Sequence, residues 1–231
     1  LTLALALRGS NGLVLASDSR MSGMQSKDDS TKFLQVNRDI GVMTYGLAIP
    51  GNAGIRKLRE KVNQKQLAHF SQISSEAREV FFEEYKRFCD HLQNLEPPQY
   101  PTSMLGFILA GYDSYESNQF KIYSYESPDF IPNETTDIKA AQWHMSRLIS
   151  DYLQYPQMTL NELKQLVVIQ MLTTSAYEDT VGGPIQMATV SYSKGFHQLA
   201  QDEINVLVEK VQPKIQKFRS ILAGSFYGFT D

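Results

Sequence analysis

Apolar and polar positions alternate along this chain in blocks that change period, and the changes mark its elements. Leu3-Ala4-Leu5-Ala6-Leu7 and Leu13-Val14-Leu15-Ala16 are short apolar runs on either side of Arg8-Gly9-Ser10-Asn11-Gly12. They predict a β-hairpin around an Asn-Gly turn. A second hairpin is expected from Phe33–Val36 and Ile40–Tyr45 around Asn37-Arg38-Asp39, after a polar loop spanning Met21–Thr31. The period then lengthens. A helix is expected to start at Gly51 after Pro50 and run through Leu58 and Val62 towards Leu67. Another follows, with Ser75 as N-cap and Ala77, Phe81, Phe88, Leu92 and Leu95 on one face, closed by Pro97-Pro98.

Strands return at Met104–Gly111 and Phe120–Tyr125, and Pro128, Pro132 and Asn133 mark irregular chain. Ile138, Ala141, Met145, Leu148, Ile149 and Tyr152 repeat at helical spacing. Thr159-Leu160-Asn161-Glu162 reads as a capping box opening a helix to about Tyr177. A strand from Ile185 to Tyr192 turns at Lys194-Gly195 and returns over Phe196–Leu199. Asp202 is then expected to cap a last helix with Ile204, Leu207, Val208, Val211, Ile215 and Phe218 on one stripe, kinked by Pro213. Strand groups alternating with helix pairs suggest an α+β arrangement of two sheets face to face with helices on both outer faces.

Composition narrows the class. With 231 residues, 42% of them apolar, and no Gly/Ser/Pro linker, the chain is expected to form a single domain over 1–231. A net charge of −3 gives no reason to expect nucleic acid or an anionic membrane as partner. Cys89 is the lone cysteine, which excludes an internal disulfide and a Cys-rich zinc site and suits a cytoplasmic location. The histidines His69, His91, His144 and His197 have no ligand spacing, so neither a metal nor a cofactor is expected, and Trp143-His144 reads as part of a packed or solvated helix face.

The chemistry concentrates at the start. A threonine hydroxyl is a weak nucleophile unless a base stands beside it, and an N-terminal α-amine can be that base. A nearby ammonium would lower the amine's pKa, and a carboxylate would hold that ammonium in place. Thr2, Lys32 and Asp18 are the three residue types required.

The near-terminal Thr2, Ala16-Ser17-Asp18-Ser19-Arg20, Lys32-Phe33, Ile40-Gly41-Val42-Met43-Thr44-Tyr45-Gly46 and Val181-Gly182-Gly183-Pro184 together resemble the 20S proteasome subunit family. The likeness is strongest to β-type subunits and their bacterial homologues, including the Anbu-type proteins, and covers nearly the whole chain. It implies the four-layer αββα sandwich of the N-terminal nucleophile hydrolases and a threonine-type endopeptidase. It further implies a homo-oligomeric ring or stacked assembly acting on peptide or unfolded protein. In the resemblance Thr2 is the nucleophile, Lys32 tunes its amine, Asp18 fixes Lys32, and the Gly46 N–H serves the oxyanion. Met21, Ser30, Leu34, Thr44 and Ala48 would line the primary specificity pocket, and none is charged, which favours a neutral apolar residue before the scissile bond.

Three features depart from the pattern. Leu1 precedes Thr2; either it stands for an initiator-type residue whose removal the mechanism requires, or the chain is an uncleaved, inactive form. The family's Asp-x-x-Ser-Gly-Gly reads here with Glu178 and Val181 at the Asp and Ser positions, Asp179 being one residue out of step. The Gly-Ser-Gly that opens the third helix is missing. These departures keep two other readings open: a non-catalytic structural subunit, and a small-molecule amidase of the same superfamily.

Overall fold

A computed structural model describes residues 3–20, 32–101, 103–140, 149, 151 and 153–227. Thr2, Met21, Ser30, Ala141, Met145, Leu148 and Tyr152 lie outside the described residues.

The first hairpin is formed by β1 (Ala4–Arg8) and β2 (Gly12–Asp18), antiparallel with Ala4 opposite Ser17 and Arg8 opposite Leu13. Its loop is Gly9 to Asn11, closed by Gly9 N–H to the Gly12 carbonyl at 2.9 Å, so Gly12 belongs to the strand and not to the turn. The Asn11 side chain accepts the Leu160 N–H at 2.7 Å and ties the turn to a helix distant in sequence. The second hairpin is β3 (Phe33–Gln35) and β4 (Ile40–Gly46). β5 (Leu105–Asp113) and β6 (Gln119–Glu126) form a third.

The remaining strands are β7 (Asn133–Thr135), β8 (Asp137–Ala140), β9 (Ile185–Ser191) and β10 (Gly195–Gln198). The described residues form two five-stranded sheets, ordered β10-β9-β2-β1-β8 and β3-β4-β5-β6-β7. The two N-terminal hairpins therefore part company, one to the centre of the first sheet and the other to the edge of the second.

Four described helices cover them: α1 (Ala48–Lys65), α2 (Phe70–Gln93), α3 (Leu160–Ser175) and α4 (Gln201–Tyr227). Leu3, Leu5, Leu7, Val14 and Ala16 pack against Leu163, Val167 and Met171 of α3 and Ile204, Leu207 and Val211 of α4. On the other side Val42, Leu105, Phe107 and Leu109 meet Ile55, Leu58, Ala77, Val80 and Phe81 of α1 and α2. Between the sheets, Ala4, Ala6, Leu13 and Leu15 face Phe33, Met43, Ile108, Ala110 and Ile122. Period-two alternation thus sends neighbouring residues of each central strand into different cores, which is why β2 is buried on both faces. Helix, sheet, sheet and helix layers make this the four-layer αββα sandwich.

Several boundaries differ from the sequence expectation. Helix α1 begins at Ala48, so Pro50 and Gly51 lie in its first turn, where a missing proline N–H costs no bond. Helix α2 begins at Phe70 and not after Ser75; the Gln72 side chain reaches back to the His69 N–H at 3.4 Å. Ile138 lies on β8, where it pairs with Ala6, so the helical spacing that included it was accidental at that end. Asn133 opens a short strand paired with β6 where irregular chain was expected. The capping box of α3 is present: Thr159 N–H reaches Glu162 Oε2 at 2.8 Å, and Glu162 N–H reaches Thr159 Oγ1 at 3.4 Å. Asp202 lies inside the first turn of α4, and the capping contact is Glu203 Oε2 accepting the Ala200 N–H at 2.9 Å.

Candidate active site

Asp18 is the last residue of β2 and Lys32 directly precedes β3, so the two meet where a strand end of each sheet converges. They are 3% and 4% exposed. Lys32 Nζ stands 3.0 Å from Asp18 Oδ1 and also donates to the Arg20 carbonyl at 2.6 Å. The same Oδ1 accepts the Leu3 main-chain N–H at 2.9 Å, and Oδ2 accepts the Gly182 N–H at 3.3 Å. One carboxylate thereby joins the start of β1, the lysine and the turn before β9.

Burial is the largest influence on both charges. It pushes the Asp18 carboxyl up from its ordinary value, against the Lys32 ammonium and the Gly182 and Leu3 amides. It pulls the Lys32 ammonium down, against the attraction of Asp18. A desolvated pair of this kind contributes little net stability, because the lost hydration offsets most of the Coulomb attraction. Its value is an ammonium held at a fixed place beside the start of β1.

Gly46 ends β4, exposed, with φ +86. A Cβ there would stand 1.8 Å from the Met104 carbonyl oxygen, so the position requires glycine both for its left-handed backbone and for its room. It follows Thr44 by two residues, and the Thr44 N–H donates to the Lys32 carbonyl at 2.9 Å, which links the Gly46 strand to the lysine. Tyr45, between them, sends its hydroxyl to Glu126 Oε1 at 2.9 Å.

Of the residues expected to line a pocket, Met21 and Ser30 lie outside the described residues. Leu34 is half-buried on β3, Ala48 is half-buried as the first residue of α1, and Thr44 is buried with its Oγ1 donating to the Gly106 carbonyl at 3.2 Å. Thr44 and Leu34 both face the α1 side of the second sheet: Gly51 abuts Thr44, and Leu34 packs against the core beneath α1.

Glu178 and Asp179 follow α3. Glu178 is half-buried and its carbonyl accepts the Val181 N–H at 2.9 Å. Asp179 approaches the site through its main chain: Arg20 Nη1 donates to its carbonyl at 2.6 Å. The Arg20 N–H also donates to the Gly182 carbonyl at 3.1 Å, and its guanidinium lies over Gly182, where a Cβ would meet it at 2.7 Å. Val181 is buried in the apolar core against α3 and α4. Arg20 and Gln186, whose Oε1 accepts the Lys32 N–H at 3.2 Å, were given no role from sequence. Arg20 closes the Ala16-Ser17-Asp18-Ser19-Arg20 motif, but nothing local reveals a partner 159 residues away. Among the described residues no cluster of His, Cys, Asp and Glu could hold a metal ion, and no helix is long and apolar enough to cross a membrane.

No curated protein matches the chain. Among solved structures, a mutant of Anbu from Hyphomicrobium sp. strain MC1 superposes with a TM-score of 0.74 at 16% identity, covering 95% of this chain and 97% of that one. A further structure of Anbu from the same strain gives 0.72 at 15% identity, over 94% and 97%. These likenesses establish the fold. The sequence model of the proteasome subunit family matches residues 2–190, and with most of its length so accounted for the chain belongs to the proteasome subunit family.

Proposed function

We propose that this chain is a threonine-type endopeptidase subunit of a proteasome-like, homo-oligomeric assembly in the cytoplasm, cleaving peptide or unfolded protein with Thr2 as nucleophile. The observation that carries the reading is the Asp18 carboxylate bonded at once to Lys32 Nζ and to the Leu3 N–H, the amide directly after Thr2. Once free, the Thr2 amine takes the hydroxyl proton through a water as Oγ attacks the substrate carbonyl. The Lys32 ammonium keeps that amine neutral near pH 7 by like-charge repulsion. The Gly46 N–H faces the charge that develops on the carbonyl oxygen. Collapse expels the amine half of the substrate, which takes the proton, and water then releases the acyl half from Thr2. Leu34, Thr44 and Ala48, with Met21 and Ser30, would receive a neutral apolar side chain before the scissile bond. Glu178 and Asp179 would support the amine's surroundings.

Intact mass tests this, measured on untagged protein before and after exposure to a peptide epoxyketone, a reagent that needs an amine and a β-hydroxyl on one residue. A mass beginning at Thr2 that gains one adduct, lost in Thr2→Ala, supports the peptidase. A mass retaining a residue before Thr2, with no adduct, rejects it. That second outcome would favour a structural, non-catalytic subunit, a reading supported by Val181, whose buried apolar side chain occupies the place of a serine in the family's catalytic pattern.

A further inference from the structure

We infer that Gln186 is a positioning residue for Lys32: its side-chain carbonyl, reaching across from the first sheet, holds the Lys32 main-chain N–H and so sets where the ammonium stands against Asp18. Gln186 lies on β9 opposite Ser17 of β2, and paired residues of a ladder project from the same face. That face is the one whose next members on β9, Ala188 and Val190, pack between the two sheets. Lys32 precedes β3 in the second sheet, so its N–H lies outside the β3–β4 ladder and takes Gln186 Oε1 at 3.2 Å as acceptor.

Both sheets hold Lys32. Its N–H goes to β9 of the first sheet, its carbonyl takes the Thr44 N–H of β4 in the second at 2.9 Å, and its ammonium bonds Asp18 and the Arg20 carbonyl. Among the described residues the Asp18 carboxylate from β2 pairs with the ammonium, while the Arg20 guanidinium is turned to the Asp179 carbonyl. An amide is the suitable acceptor here. A carboxylate at 186 would also accept the N–H, but it would add a negative charge that opposes what the ammonium does to its surroundings. Removing the acceptor takes away one of the bonds that hold the Lys32 main chain and loosens the residue that carries the ammonium; a displacement of about 1 Å in such a group costs on the order of 10²-fold in rate.

The kinetic test rests on the threonine-peptidase reading. In Gln186→Met, kcat is expected to fall about 10- to 100-fold with KM within about twofold, and the acid limb of kcat/KM to move to higher pH as the ammonium leaves its place. Gln186→Glu, which keeps the acceptor, should recover most of kcat above that limb. Parental kcat and pH profile in Gln186→Met would overturn the proposal. Amide hydrogen exchange at Lys32 gives an independent reading that needs no activity. Strong protection at Lys32, lost in Gln186→Met and kept in Gln186→Glu, supports the assignment, whereas an unprotected Lys32 amide in the parent overturns it. If the parent shows no Thr2-dependent adduct, the peptidase reading fails by itself, and the exchange data still decide the role of Gln186.

Discussion

Asp18 accepts the Leu3 N–H through the same oxygen, Oδ1, that faces Lys32 Nζ, at 2.9 and 3.0 Å. The carboxylate therefore couples the lysine to the first strand mechanically as well as electrostatically. Lys32→Met is expected to leave a buried, unpaired carboxylate and to lower stability by about 3–5 kcal/mol. The double variant Asp18→Asn with Lys32→Met removes both charges and should regain most of that loss in a urea titration, while on the proposed peptidase reading neither variant should hydrolyse peptide. Failure of the double variant to recover stability would show that the pair is held together by something other than charge.

Gly46→Ala places a methyl group against the Met104 carbonyl on a left-handed backbone. The strand end must shift, at a cost of about 1–3 kcal/mol. If the Gly46 N–H serves the oxyanion, kcat should drop about 10²- to 10³-fold, more than the stability loss accounts for. The comparison to make is hydrolysis and melting temperature on the same preparation.

Asp113 makes a prediction about acid stability. Burial alone would raise its carboxyl, but the Lys121 ammonium at 2.8 Å, the Glu116 and Tyr115 N–H groups and the Ser117 hydroxyl outweigh burial and hold it at about 2. Because the folded value lies below the ordinary 3.8, this contribution is complete above pH 3.8 and is lost as pH falls through about 2. It amounts to about 2 kcal/mol. Asp113→Asn should therefore be less stable than the parent near neutral pH, and the gap should narrow as acid is added. A gap independent of pH would contradict the ionic origin.

Tyr45→Phe removes the hydroxyl that bonds Glu126 while leaving the ring in the core between the sheets. The expected loss is about 1 kcal/mol in stability. Since Tyr45 directly precedes Gly46, a fall in kcat at unchanged KM would show that this bond also steadies the Gly46 strand end; equal kinetics would confine it to stability.

Sequence by itself determined the elements that repeat a local pattern. The Asp18 and Lys32 pairing was implied by the family resemblance, whereas β1, β2, β5 and β9 follow from apolar runs and α3 from its capping box. These are legible because alternation and capping are decided within a few residues. The tertiary structure decided the rest. Periodicity reports that a face is buried and not against what, so it could not send the first hairpin to one sheet and the second to the other. Nor could it turn Ile138 from a helical pattern into a strand, since that strand exists only by pairing with β1. Gln186 and Arg20 gain their places from partners 154 and 159 residues away. Such contacts leave no local trace, because their free energy is realised only when the two sheets close on one another.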